Sequence, residues 1–152
     1  MNIEIHSRKS IEELLKKNNL NDVAIISFYD PILSVSFSVN EPIDYSEKCN
    51  RVFQIAIHDI YYDELEEYNL TCDTYFPEAD RLADFILKAK RDGLDFICQC
   101  EYGESRSVGC AAAILEYFYR GGISIFADYR YYPNKMVYHK VLESLENYKG
   151  NI

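Results

Sequence analysis

The fold of this chain is decided by one loop and its two flanks, Cys98-Gln99-Cys100-Glu101-Tyr102-Gly103-Glu104-Ser105-Arg106-Ser107. The apolar run 94–98 follows Gly93 and has the length of a buried strand. The segment 108–118 is rich in alanine and leucine, which is typical of a buried helix. The stretch between them is therefore expected to be a tight loop from a strand into a helix. Backbone N–H groups in such a loop, together with the helix N-terminus, form a concave site for an anion.

Two side chains give this predicted anion site its chemistry. Cys100 and Arg106 are separated by five residues, a spacing that places a thiol under a bound oxyanion and a guanidinium at its side. The planar fork of arginine binds two phosphate oxygens at once. A free cysteine titrates at about 8.5, and a helix N-terminus with a neighbouring cation lowers this to roughly 3.5–7.5. A thiolate in a phosphate cradle indicates nucleophilic attack on phosphorus.

The segment Gln99–Ser107 resembles the signature loop of the protein tyrosine and dual-specificity phosphatases, which reads His-Cys, two residues, Gly, two residues, Arg, then Ser or Thr. The resemblance implies that Cys100 is the nucleophile, that Arg106 clamps the phosphate and that the Ser107 hydroxyl assists breakdown of the intermediate. It also implies that the whole loop binds phosphate, through Glu101, Tyr102, Gly103, Glu104, Ser105 and Arg106. Gln99 stands where that family has the histidine that helps set the acidity of the thiolate.

A general acid is needed to protonate the leaving oxygen, and the resemblance places it after a neighbouring upstream strand. Asp59, at the end of the predicted strand 51–57, fits this position best, although it lies 41 residues before Cys100. Asp63 and Asp73 remain alternatives, although each is better explained as a solvated surface acid, an explanation that fits Asp59 equally well. Asn134 lies at a Pro-Asn helix start that resembles the one those phosphatases place beside their loop, and the resemblance implies that it braces the site, while helix capping explains the same residue.

Alternating strands and helices predict the fold class. Strands are expected at 1–5, 23–28, 51–57 and 94–98, and helices at about 7–18, 77–92, 108–119 and from 133 onward. Residues 32–39 could be an edge strand or a loop, the acidic segment 61–74 is a candidate lid, and 123–129 is a short helix or turn. We therefore expect one α/β domain over residues 1–152, with a mainly parallel central sheet flanked by helices, as in the dual-specificity phosphatases.

Composition limits the class of partner. The formal net charge of −9 disfavours nucleic acid and anionic membranes, and no basic-then-apolar leader or apolar run of membrane-spanning length occurs. Five cysteines without a paired framework fit reduced thiols in a cytoplasm. Cys98 and Cys110 are expected to be core residues, with redox protection of the nucleophile as the alternative. The cysteines and histidines lack the spacing of a zinc site.

The sequence thus predicts a cytoplasmic phosphatase that needs no cofactor or metal and proceeds through a cysteinyl-phosphate. Glu101 and Glu104, with no lysine in the loop, favour a single phosphate on an uncharged or aromatic carrier. A phosphorylated protein or a small aryl phosphate is therefore the expected substrate, with phosphotyrosine favoured. The alternatives are a catalytically weak phosphate- or phosphopeptide-binding module and, less well matched, an arsenate reductase or sulfurtransferase. The sequence does not decide the oligomeric state.

Overall fold

The structure, a computed structural model, describes residues 1–31 and 41–150. Within them a four-stranded parallel sheet has the order β1-β4-β2-β3. Its strands are β1 (Ile3–His6), β2 (Val23–Tyr29), β3 (Arg51–Ala56) and β4 (Asp95–Gln99). The predicted mainly parallel sheet with flanking helices is confirmed. The possible edge strand at 32–39 lies outside the described residues.

The side chains of the central strands alternate between two apolar layers, as the pleat requires. Ile25 and Ile97 join the smaller cluster beneath helix α1 (Arg8–Lys17). Ile26 and Phe96 join the larger cluster on the opposite face. That face is covered by α2 (Ala79–Arg91), α3 (Arg106–Tyr119) and α5 (Lys135–Glu146), with the short α4 (Ile123–Phe126) between the last two. The continuous apolar runs of the sequence therefore reflect burial on both faces.

Helix starts agree with the sequence signals to within a few residues. Ser7 caps α1, its hydroxyl accepting a hydrogen bond from the amide of Ser10 at 3.1 Å. Asn134 caps α5 by accepting from the amide of Val137 at 3.0 Å. The acidic segment 61–74 is more ordered than a plain loop, because a 3₁₀ helix, Tyr62–Tyr68, runs through it and buries Leu65.

Candidate active site

The carboxyl ends of all four strands meet at one edge of the sheet, and each is followed by a polar residue of the site. Arg8 comes after β1, Asp30 after β2, Asp59 after β3 and Cys100 after β4. Open parallel sheets bind their ligands at this edge. The topology therefore brings together residues that are up to 92 positions apart in sequence.

The loop between β4 and α3 turns its carbonyl groups outward. They accept hydrogen bonds of 2.8–3.0 Å from surrounding amides: Arg8 to Glu101, Tyr132 to Glu104, and both Gly109 and Asn134 to Ser105. Within residues 1–31 and 41–150, the amides of 101–105 donate to no other protein group. These N–H groups, adjoining the N-terminus of α3, are therefore available to an anion.

Gly103 allows this loop to lie against the start of the chain. Its φ is +68°, and a Cβ atom there would be 2.8 Å from the backbone nitrogen of Ser7 and 3.0 Å from the carbonyl carbon of His6. An L side chain would be strained by the backbone conformation and would also collide with main chain. The glycine of the signature pattern thus has a structural reason in this chain.

Cys100 lies at the bottom of the loop with 3% of its surface exposed. Its Sγ is 3.0 Å from the Oγ of Ser107, which is fully buried in the first turn of α3. A hydroxyl and a helix N-terminus both stabilise negative charge on sulfur. The arrangement is suited to stabilise the Cys100 thiolate, both as a nucleophile and as a leaving group.

Arg106 is 4% exposed and is fixed from one side. Its Nη1 donates to Oδ1 of Asp30 at 2.6 Å and to the carbonyl oxygen of Ile57 at 2.8 Å. Its Nε is buried and has no hydrogen-bond partner among the described residues. Leaving a buried donor unsatisfied costs roughly 1–3 kcal/mol, and more for a charged group. An anion in the cavity would remove this penalty.

Gln99, in place of the histidine of the resembled loop, belongs to a buried polar network. Its Oε1 accepts hydrogen bonds from Ser27 and, at 3.1 Å, from the hydroxyl of Tyr45. Its Nε2 donates to the carbonyl oxygen of Cys100 at 2.9 Å. Burial raises the pKa of Tyr45 to about 12, so its phenol stays a donor at neutral pH. The amide therefore orients the backbone of the cysteine without carrying a charge of its own.

Asp59 is the predicted acid that the structure brings to the loop. Its Oδ1 accepts from the hydroxyl of Ser105 at 2.6 Å and from Nδ2 of Asn134 at 3.0 Å. Asn134 also donates to the carbonyl of Ile60 at 3.2 Å while capping α5. The same asparagine side chain therefore caps α5 and contacts the candidate acid. The carboxylate is held over the loop by one donor from the loop and one from α5.

Asp63 and Asp73, the alternative acids, do not line the cavity above Cys100. Asp63 is exposed in the first turn of the 3₁₀ helix. Asp73 lies in a separate cavity of about 570 Å³ that is bounded by the start of α2 and the end of α5. The structure thus brings only Asp59, of these three, to the thiol.

His58 packs its ring against Tyr68, with ring centroids 4.6 Å apart. Its carbonyl oxygen accepts a 2.5 Å hydrogen bond from the hydroxyl of Tyr75. Burial lowers the pKa of His58; Asp30 opposes this shift and Arg106 adds to it. These contacts are those of a packing residue beside the site.

The cavity above the thiol has a volume of about 200 Å³. Cys100 and Arg106 form its buried floor, and three exposed tyrosines stand around its mouth. The lining residues are Asp59, Tyr61, Cys100, Tyr102, Glu104, Ser105, Arg106 and Tyr132. The carboxylate of Glu101 points elsewhere, because it forms an ion pair with Nε of Arg8 at 2.8 Å.

Several residues that shape the site were not predicted from the sequence. Asp30 directly follows a buried strand, and that position was an available signal. No comparable signal in the sequence marks Ser27, Tyr45 or Arg8. Each contacts the loop or Gln99 only because of the order of the strands and the placement of α1. Tyr61 and Tyr132 stand at the mouth for the same reason.

Among residues 1–31 and 41–150, no cluster of three or more histidine, cysteine or acidic side chains is arranged to hold a metal ion. Within the same ranges, no helix has the length and apolar character needed to span a membrane.

Three solved structures are similar to this chain over nearly its whole length. Tk-PTP in its active form has a TM-score of 0.53 at 13% identity, covering 97% of this chain and 93% of its own. Human DUSP28 has a TM-score of 0.52 at 14% identity, covering 95% and 91%. The chain has a dual-specificity-phosphatase-like fold. PTPMT1 in complex with PI(5)P has a TM-score of 0.51 at 13% identity, covering 95% and 90%.

The signature loop in the sequence indicates this phosphatase-like fold, and the similarity to solved structures shows it. No protein-family model matches the chain, and no curated protein matches it either. At 13–14% identity the likeness establishes the fold, while the chemistry depends on the residues at the strand ends.

Proposed function

We propose that this protein is a cysteine-dependent phosphatase that hydrolyses phosphomonoesters, with phosphotyrosine or another aryl phosphate as the favoured substrate. Residues 1–152 would act as one phosphatase domain in the cytoplasm, on a phosphorylated protein or a small aryl phosphate. The observation that carries the proposal is that Arg106, whose buried Nε has no hydrogen-bond partner among the described residues, lines the same cavity as Cys100. A phosphoryl group satisfies this donor and the free amides of the loop together.

In the first step the Cys100 thiolate attacks phosphorus. A sulfur–phosphorus bond forms, the bond from phosphorus to the ester oxygen breaks, and its electron pair leaves with that oxygen. Asp59, held by Ser105 and Asn134, transfers its proton to the leaving oxygen. Arg106 and the loop amides stabilise the charge that spreads over the equatorial oxygens.

In the second step a water molecule takes the place of the leaving group. The Asp59 carboxylate accepts a proton from the water as its oxygen bonds to phosphorus. The sulfur–phosphorus bond then breaks and its electrons return to Cys100. The hydroxyl of Ser107, 3.0 Å from the sulfur, donates a hydrogen bond to the thiolate as it departs and keeps its proton. Atoms and charges balance without a metal or cofactor.

The decisive experiment is hydrolysis of a small aryl phosphate from pH 5 to 8, with a chelator present. Wild type should turn over, Cys100→Ser should not, and Asp59→Asn should lose the alkaline decline of the rate. Full activity of Cys100→Ser would refute the mechanism.

The second candidate is a phosphate-binding module with little turnover, and one observation favours it. Gln99 occupies the position of the resembled loop's histidine, so the cysteine has an uncharged amide as its neighbour. This candidate predicts no hydrolysis by wild type together with vanadate binding that requires Arg106. The same set of proteins, with an Arg106→Lys variant added for the vanadate titration, distinguishes the two functions.

A further inference from the structure

The cavity has a deep polar floor and an aromatic mouth. Cys100 is 3% exposed, whereas Tyr61, Tyr102 and Tyr132 are 64%, 78% and 68% exposed. Its volume of about 200 Å³ is below the roughly 300–1,000 Å³ of pockets that enclose a drug-sized ligand. The floor therefore receives one small group, and the rest of a substrate has to lie across the tyrosine rings. Exposed aromatic groups of this kind mark interaction surfaces.

The charge at this mouth is acidic. Among the described residues that line the cavity, Arg106 is the only cation, and it is bonded to Asp30. Glu104 adds an exposed carboxylate at the rim. The nearby Arg8 is bonded to a carboxylate of the loop itself. The second phosphate of a doubly phosphorylated substrate would be repelled by the Glu104 carboxylate. Among the described lining residues, no cation besides Arg106 would bind it.

The rings of the three rim tyrosines and the carboxylate of Glu104 both favour a cationic side chain on the substrate. The face of a tyrosine ring attracts a lysine or arginine cation, and so does the Glu104 carboxylate. Beyond Tyr61 the exposed acids Asp63, Glu66 and Glu67 extend the negative surface along the 3₁₀ helix. Complementary charge of this kind accelerates encounter and selects between partners.

We propose that the mouth selects phosphotyrosine flanked by lysine or arginine in a polypeptide, and that Glu104 and the three rim tyrosines make the selection. The proposal rests on the proposed hydrolase function and deepens it by naming the substrate class. It excludes phosphorylated inositol lipids as preferred substrates, because these present several anionic groups to a mouth at which the described lining residues include no cation besides Arg106.

The test compares two phosphotyrosine peptides of equal length, one with lysines and one with glutamates on both sides of the phosphotyrosine. At low salt we expect kcat/KM to be about tenfold higher for the basic peptide, mainly through KM. High salt should shrink this ratio, because exposed charges are then screened. Vesicles that contain a phosphatidylinositol monophosphate should be hydrolysed more slowly than the basic peptide.

Variants test which residues are responsible for the selection, through the ratio of kcat/KM for the basic peptide to kcat/KM for the acidic peptide. Glu104→Lys should bring the ratio close to one, and Glu104→Gln should give an intermediate value. Asp22→Asn is the matched control, since Asp22 is exposed at the amino end of β2, on the opposite edge of the sheet. Tyr102→Phe keeps the ring face and should keep the ratio, whereas Tyr102→Leu should lower it.

Two readouts separate failure of this proposal from failure of the hydrolase function. If wild type hydrolyses the small aryl phosphate but treats both peptides equally, or prefers the acidic peptide or the vesicles, the selection is overturned. If wild type hydrolyses nothing, binding of both peptides to Cys100→Ser still tests the selection. A tenfold preference for the basic peptide then supports it, and equal binding overturns it.

Discussion

Cys98 and Cys100 are two residues apart and almost equally buried, at 0% and 3% exposure, yet they lie in different surroundings. Cys98 faces the apolar layer beneath α3 and contacts Cys110 there, and burial and this contact raise the pKa of the Cys110 thiol well above its usual value. Cys100 lies past the end of β4, beside a serine hydroxyl and on the floor of a cavity with an arginine. The comparison teaches that burial alone does not determine thiol chemistry; the polar groups that face the sulfur do.

The largest expected effect is the loss of the nucleophile. Cys100→Ser should lower aryl phosphate hydrolysis by roughly 10⁴-fold or more, because a serine hydroxyl is not ionised at neutral pH and is a much weaker nucleophile than a thiolate. Cys98→Ala and Cys110→Ala should stay within a few-fold of wild type, since both thiols face the core. Initial rates at saturating substrate measure the difference. A comparable loss in either alanine variant would remove the distinction between the two regions.

The next effect concerns the acid. Asp59→Asn should lower kcat by about 10²–10⁴-fold for a poor leaving group, and by much less for an activated nitrophenolate, which needs no proton. Asp63→Asn is the matched control and should have little effect on either substrate. Rates with a phenyl and a nitrophenyl phosphate measure this contrast. Equal losses in the two aspartate variants would assign the acid elsewhere.

The arginine tests whether the polar surroundings of Cys100 bind an anion. Arg106→Lys should weaken vanadate binding and lower kcat/KM by roughly 10²–10³-fold, because an ammonium cannot replace a bidentate guanidinium. Asp30→Asn should have a smaller effect in the same direction, since it loosens Nη1 and leaves Nε in place. Titration with vanadate measures both. Wild-type affinity in Arg106→Lys would show that the amides alone bind the anion.

Stability should respond in the opposite sense to activity. Cys110→Ser places a hydroxyl at a fully buried position and should lower the free energy of unfolding by about 1–3 kcal/mol. Cys100→Ser should cost less, because Ser107 can bond the new hydroxyl. Urea denaturation measures both variants. A larger decrease in the free energy of unfolding for Cys100→Ser than for Cys110→Ser would mean that the buried thiol of the site contributes more to stability than the thiol of the core.

The smallest expected effect is a pH dependence of the free energy of unfolding that arises from His58, beside the site. Burial holds the pKa of His58 below its unfolded value of about 6.5. Below about pH 6.5 the unfolded chain takes up a proton at His58 that the folded chain does not. The neutral His58 therefore contributes to the free energy of unfolding above about pH 6.5. This contribution is lost as the pH falls through the pKa of His58 in the folded chain. His58→Gln should weaken the decline in the urea midpoint between pH 7 and 5. An unchanged decline would assign it to other groups.

The fold could be predicted to a large extent because its signals are local. Apolar runs of strand length, caps such as Ser7 and Asn134, and the glycine at 103 each act within a few residues. At the site, Cys100, Arg106 and Ser107 could be identified because one loop carries all three. Asp59 was only one of three candidates, since distance along the chain does not tell which acid reaches the loop. Their roles in catalysis stay predictions until the variants are measured.

By itself, the sequence determined the parallel α/β class and the composition of the anion-binding loop, because strand length, helix composition and loop spacing are written in contiguous residues. Only the tertiary structure decided which distant groups complete the site. Asp30 anchors the arginine, Tyr45 and Ser27 hold Gln99, and Asn134 holds Asp59. The parallel strands place their carboxyl ends at one edge, and the packing of the segment 41–50 and of α5 adds Tyr45 and Asn134. Hydrogen bonds such as these depend on the packing of the whole sheet, which no short stretch of sequence encodes.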